Sequence, residues 1–228
     1  MKRKLEGFIR GLRLQFATVW AMLCVLGAVH AGITNWTLFG WSLFGLLMAV
    51  FACHFLDEAI DWRLGRDLNC GGMGIIREGI FKDTDCIKIA ICFLCLAGVA
   101  ASILFLYVGV WLLLFIIIGA FLLATNHIHE TILLVHDYAI SLAFVTAYLG
   151  SYFIQKNALT LESVLIGLFI FFIIVGFIPW QDLADYEEDK KHNKKTIIVG
   201  FGYENAGRIC ILHGIIGLTI LVLYFLFA

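Results

Sequence analysis

Long apolar runs broken by three polar stretches dominate the chain. Apolar runs can be read at 14–34, 37–56, 87–107, 108–125, 138–155, 161–180 and 207–228, with polar stretches at 57–86, 126–137 and 181–206. A run of about 20 residues is the length an α-helix needs to cross the hydrocarbon core of a bilayer. The apolar stretch 87–125 is too long for one crossing, and Gly109, after Tyr107, is where the pattern places a turn. Backbone groups in lipid must be satisfied within the segment, which leaves helices as the solution for an open chain. The pattern thus predicts an all-α fold, a polytopic transmembrane helical bundle of about seven spans in one domain over residues 1–228.

Composition strengthens this reading. Hydrophobic residues make up 62% of the chain and charged residues 14%, against about 45–50% and 25% in soluble domains. A soluble enzyme, a disordered chain and a nucleic-acid-binding domain are excluded. The seven cysteines are odd in number and fall mostly in or beside apolar runs. They are expected to be small buried hydrophobes, the Cys92/Cys95 pair included. The basic N-terminus is followed by an apolar run too long for the h-region of a cleaved signal. The net charge of −1 carries no information, but its distribution does. With a cytoplasmic N-terminus, 15 of the 16 basic residues fall on one side and only Lys156 on the other. Lys and Arg concentrate in cytoplasmic loops. The expectation is an integral protein of the cell membrane with its N-terminus and both acid-rich loops in the cytoplasm.

Those two loops carry the candidate chemistry. The second run leads into Cys53-His54-Phe55-Leu56-Asp57-Glu58-Ala59-Ile60-Asp61-Trp62-Arg63, and the sixth into Gln181-Asp182-Leu183-Ala184-Asp185-Tyr186-Glu187-Glu188-Asp189-Lys190. His54, Asp57 and Asp61 are spaced i, i+3, i+7, as are Asp182, Asp185 and Asp189. Helical spacing places each trio on one face. Acids near a helix C-terminus oppose the macrodipole, and crowded like charges repel, so the arrangement calls for a bound cation. Magnesium suits carboxylate oxygens and bridges them to phosphates. Basic residues follow each cluster: Arg63 and Arg66 after the first, Lys190, Lys191, Lys194 and Lys195 after the second. Metal ions with Arg and Lys would together clamp a diphosphate.

At these residues the sequence resembles the UbiA superfamily of intramembrane prenyltransferases. The family's second motif, D-x-x-D-x-x-x-D, falls on Asp182, Asp185 and Asp189. Its following basic stretch is similar to Asn193-Lys194-Lys195-Thr196 through Val199-Gly200-Phe201-Gly202, with Asn193 in place of the usual glycine. In the first motif, Asp57, Asp61 and Arg63 match, while Cys53 and His54 replace the family's asparagine and first aspartate. The resemblance implies magnesium held by Asp57, Asp61, Asp182, Asp185 and Asp189, which are then the catalytic set. It implies diphosphate binding by Arg63, Arg66, Lys190 and Lys194. His54, Asn126 and His129 are candidates for acceptor or lid contacts. The implied reaction is transfer of a polyprenyl group from an isoprenyl diphosphate to a lipophilic aromatic or hydroxyl acceptor. The family usually has nine helices, so the chain reads as a minimal form, as one completed by a second copy or a partner's helices, or as an incomplete one. A terpene cyclase-like enzyme on the same fold and a non-catalytic prenyl-lipid-binding subunit are the alternatives.

Smaller signals remain. His127, His129, Glu130, His136 and Asp137 make a polar cluster in the connection after the fourth run. It is read as loop, as acceptor contacts, or as a zinc site. His30 and His213 lie within spans and are expected to be hydrogen-bonded in the bundle. Gly71, Gly72 and Gly74 suggest a mobile lid over the first acidic cluster. No strand precedes them, which sets them apart from a nucleotide cradle.

Overall fold

The computed structural model describes residues 2–66, 72–125, 128, 131–183 and 186–227. In chain order the helices are α1 (Lys2–Gly11), α2 (Leu14–Ala31), α3 (Trp36–Arg63), α4 (Asp83–Val108), α5 (Trp111–Ala124), α6 (Val135–Lys156), α7 (Leu161–Asp182), α8 (Tyr186–Lys191) and α9 (Ile197–Phe227). Six of them, α2, α3, α4, α6, α7 and α9, are long and apolar enough to cross a membrane. The expected fourth span is shorter than read. Helix α5 has 14 residues, about 21 Å at 1.5 Å per residue, against a hydrocarbon core of about 30 Å. Gly109 ends α4 with φ 88°, a backbone geometry that glycine adopts without the steric cost of a Cβ. Helix α3 starts at Asn35, whose side chain accepts from the Leu38 N–H at 3.0 Å, a standard N-cap. Gly202, at φ 74°, breaks α9. The apolar run that begins at 207 therefore belongs to its second segment.

Helices α2 and α6 run parallel and touch from Ala17 and Ala143 to the end of α6. Ala17 packs with Ala143, and Trp20 stacks on Phe144 at 4.0 Å. Further along, Cys24 Sγ donates to Ser151 Oγ at 3.4 Å. His30 Nδ1 and the Tyr148 hydroxyl are 2.6 Å apart, and Thr34 Oγ1 donates to the Gln155 carbonyl at 3.1 Å. Gly27 lets the backbones meet: a Cβ there would collide with the Tyr148 carbonyl. Small residues permit this approach in lipid, where helix association rests on packing and interhelical hydrogen bonds. His213 likewise joins α9 to α6, its Nε2 lying 2.8 Å from the Tyr138 hydroxyl. Both intramembrane histidines are thus hydrogen-bonded. The cysteines divide: Cys24, Cys86 and Cys210 are buried, whereas Cys92 and Cys95 are exposed on α4. On a membrane span that surface faces lipid, an environment as apolar as a core.

Packing clusters fix which helix ends lie together. Leu104, Leu112 and Ile154, with Leu38 and Trp41, join the start of α3, the end of α4, the start of α5 and the end of α6. At the opposite end, Val175 of α7 packs with Ile197, Ile198 and Ala206 of α9 and with Leu134 and Tyr138 at the start of α6. There too, His54 of α3 reaches the chain just ahead of α2. The C-terminal ends of α3 and α7, which carry the two acidic clusters, therefore share one end of the bundle.

Candidate active site

The first cluster lies on one continuous helix, in keeping with its spacing. His54, Glu58 and Asp61 occur on α3 with Asp57, and Asp57 and Asp61 are half-buried. The structure gives His54 a bracing position. Its Nδ1 lies 3.0 Å from the Leu12 carbonyl and its ring sits edge-on to Phe16. A carbonyl only accepts, so Nδ1 carries the proton and donates. His54 thereby ties α3 to the junction between α1 and α2, which does not support its reading as an acceptor or lid contact.

Glu58 has a bracing role that its place in the motif does not disclose. Its side chain is 3% exposed. Its carboxylate accepts from the backbone N–H groups of Met73 (2.7 Å), Ile75 (2.9 Å) and Ile76 (3.4 Å). A carboxylate accepting several amides organises the backbone around it. The segment after Gly72 is therefore anchored, and the mobile-lid reading does not hold for its described part. Arg3 Nη2 donates to the Glu78 carbonyl at 2.7 Å and Arg10 Nη1 to Glu78 Oε1 at 2.5 Å. The Arg10 guanidinium holds the Glu78 carboxyl below its usual range, and Glu78 in turn raises Arg10. The signal available in sequence was angular: Glu58 points about 100° away from Asp57.

The second cluster is arranged differently from its spacing. Helix α7 stops at Asp182 and a separate short helix, α8, starts at Tyr186. Asp182 and Asp189 therefore do not share one helix face. Pro179, in the last turn of α7, and the turn after Asp182 supply the break. Asp189 is buried, with Oδ1 3.3 Å from Lys194 Nζ. Asn193 between them has φ 59°, a left-handed conformation that Asn tolerates better than most residues. This is why asparagine can replace glycine in the motif. Thr196 caps α9, its Oγ1 accepting from the Val199 N–H at 3.4 Å.

The basic residues fall into two groups. Arg66 Nη1 is 3.3 Å from Asp61 Oδ1, and Lys194 pairs with Asp189. These two cations stand directly on motif carboxylates. Arg63 instead donates through Nε to Asp83 of α4 at 2.8 Å, and Lys190 lies 5.7 Å over the Tyr186 ring. Asp185, Asn126 and His129 lie outside the described residues, as do His127 and Glu130. Asp137, read as part of a polar connection, is instead 0% exposed in the first turn of α6.

A cavity of about 280 Å³ adjoins the first cluster. Its lining begins at Cys53 and Leu56, next to Asp57, and continues to Leu112 and Ile154 at the far end of the bundle. Along α3 it extends from Leu56 to Ser42, about 21 Å of helix. The walls are almost wholly apolar.

The donor chemistry at the two acidic ends is hard oxygen, which fits magnesium. Among the described residues no three His, Cys, Asp or Glu side chains converge on one point. Magnesium does not demand an all-protein cage; it keeps waters and uses one or two carboxylates plus phosphate oxygens.

A bundle of apolar helices, with two acidic helix ends at one end and an apolar cavity lined up to Cys53 and Leu56, defines an intramembrane helical protein. The family comparison agrees: the UbiA prenyltransferase family profile matches residues 16–228, and the chain belongs to that family. No curated protein sequence matches it. Among solved structures, a UbiA homolog from Archaeoglobus fulgidus bound to GPP and Mg2+ is similar, with TM-score 0.79 and 18% identity over 97% of this chain and 78% of that one. The same homolog bound to DMAPP and Mg2+ gives 0.78. A digeranylgeranylglyceryl phosphate synthase gives 0.72 at 15% identity, over 96% of this chain and 76% of that one.

Proposed function

We propose that residues 1–228 form a single prenyltransferase domain. It moves a polyprenyl group from an isoprenyl diphosphate to an aromatic or hydroxyl acceptor within the membrane, with magnesium. The observation that carries this reading is the adjacency of the apolar cavity to Asp57: an isoprenoid tail in the cavity brings its diphosphate to the carboxylates. The GPP and Mg2+ bound by the Archaeoglobus homolog support it. Asp57, Asp61, Asp182, Asp185 and Asp189 would hold the metal. Bound there, magnesium would neutralise charge on the diphosphate leaving group. Arg66 and Lys194, already on Asp61 and Asp189, would contact a diphosphate bound at those carboxylates. Arg63 and Lys190 stand further out as secondary contacts. His54 is left out of the substrate-contacting set because its Nδ1 is occupied by Leu12. The apolar walls exclude water from the allylic carbon as its C–O bond weakens. Both acidic ends are proposed to face the cytoplasm.

The test is a thermal-stability titration of purified protein with geranylgeranyl diphosphate, with and without magnesium. Ligand at 100 times its dissociation constant contributes about 2.7 kcal/mol. Magnesium-dependent stabilisation, lost in Asp182→Ala and Asp189→Ala, is the expected result. Product analysis then separates transfer from cyclisation, since a cyclase needs no acceptor. Stabilisation by the lipid without magnesium and without turnover would replace transfer with lipid binding.

A further inference from the structure

The first thirteen residues hold five basic side chains, Lys2, Arg3, Lys4, Arg10 and Arg13, against one acid, Glu6. The structure sorts α1 into three faces. Gly7 and Gly11 are buried: Gly7 lies against Ile80 of the anchored segment, and Gly11 against Phe55. Phe8, beside them, meets Phe55 at 5.7 Å and Phe93 at 6.1 Å. A second face carries Arg3 and Arg10, both on Glu78. The third carries Leu5 and Ile9, one helical turn apart, which are 59% and 49% exposed. Lys2 falls about 20° from Ile9 around the helix. Only residues 12 and 13 separate α1 from the span α2, so α1 cannot leave the membrane surface.

We propose that α1 is an in-plane latch for an anionic bilayer surface. Leu5 and Ile9 enter the acyl boundary, and Lys2 beside them, 4.0 Å from Glu6, meets lipid phosphates. An amphipathic helix binds membrane through buried apolar area plus attraction of its cations to anionic lipid. The latch is mechanically continuous with the site. Arg3 and Arg10 grip Glu78, and the segment that bears Glu78 is fastened through Met73 and Ile75 to Glu58, the neighbour of Asp57. Seating α1 on anionic lipid thus holds the segment over the first acidic cluster. Its consequence for catalysis rests on the transfer reading above; the seating itself does not.

The test is hydrogen exchange by mass spectrometry on the full chain, in nanodiscs of phosphatidylcholine alone and of phosphatidylcholine with phosphatidylglycerol. The expected result is that amides of 3–11 and 75–81 slow together, by about tenfold, in the anionic discs. Leu5→Glu with Ile9→Glu should abolish both effects. Glu78→Gln should keep the slowing in α1 and weaken it in 75–81, where Arg3 still holds the backbone carbonyl of position 78. Equal exchange of α1 in both lipids would overturn the latch, as would slowing of α1 that 75–81 does not follow. Prenyl transfer assayed in the same discs separates the two readings. No transfer in either lipid, with the exchange pattern intact, removes the transfer reading and leaves the latch standing.

Discussion

Glu58→Ala separates a structural carboxylate from a metal-binding one. The side chain accepts two short hydrogen bonds, from Met73 and Ile75, and a longer one from Ile76. Met73 and Ile75 are themselves buried, so water does not readily replace the lost acceptor. A buried donor left unsatisfied costs about 1–3 kcal/mol, and bonds to a charged acceptor lie at the upper end. Two strong bonds and one weak one give a loss of about 3–6 kcal/mol. That is a large share of a typical total of 5–15 kcal/mol. Glu58→Gln keeps one oxygen acceptor but turns an amide N–H₂ toward a backbone donor, so it should lose about half as much. The assay is thermal unfolding of both variants, repeated with geranylgeranyl diphosphate and magnesium. The expected result is a lower melting temperature for both, with Glu58→Gln still stabilised by ligand and magnesium. A Glu58→Gln protein of unchanged stability that no longer responds to magnesium would refute the reasoning and make Glu58 a metal ligand.

Gly27→Val places a branched side chain against the Tyr148 carbonyl; α2 and α6 must part, at about 1–3 kcal/mol, read as a lower melting temperature. Asn193→Gly should leave stability and turnover nearly unchanged, because φ 59° suits glycine, whereas Asn193→Val should cost about 1–2 kcal/mol; equal melting temperatures for the two would contradict the left-handed assignment. Ala49→Phe fills part of the cavity and should shorten the longest isoprenyl diphosphate that stabilises the protein, seen by titrating donors of increasing length. The Glu78–Arg10 pair has a pH signature. The Glu78 carboxyl is depressed in the folded state, so its contribution is present above the ordinary carboxylate value and lost as pH falls through the lower folded one. Exchange protection of 75–81 should drop at low pH in the wild type and show no such transition in Glu78→Gln.

The bundle was legible because span length and apolar composition are set by the bilayer rather than by tertiary detail. Gly109 marked its turn because a chain that reverses between two spans needs a helix breaker. Helix α5 was read as a full span because its residues are as apolar as those of its neighbours; its length is set by where regular hydrogen bonding stops. The first acidic motif kept its helical register on α3. The second did not, because i, i+3, i+7 spacing is compatible with a helix and does not enforce one across Leu183. Glu58 and His54 show the other limit. Both are polar residues within a motif proposed to hold metal, and only the positions of Met73, Ile75 and Leu12, distant in sequence, show that they brace the chain around it. Asp137 reads as part of a polar connection because a sequence window carries no measure of depth.

The parallel seam between α2 and α6 bears on how the protein is made. Its contacts join residues 118 to 127 positions apart, as in His30 to Tyr148 and Cys24 to Ser151, whereas α3 with α4 and α7 with α9 are close in sequence. At 5–20 residues per second, about 120 residues take on the order of ten seconds to synthesise. Throughout that interval α2 sits in the bilayer with His30 and Thr34 lacking their eventual partners, and the hairpin of α3 and α4 is complete before α6 emerges. The first span is therefore fastened to α6 late, and a ribosome that stalls before α6 emerges leaves a chain whose α2 has only its packing on α3 to hold it.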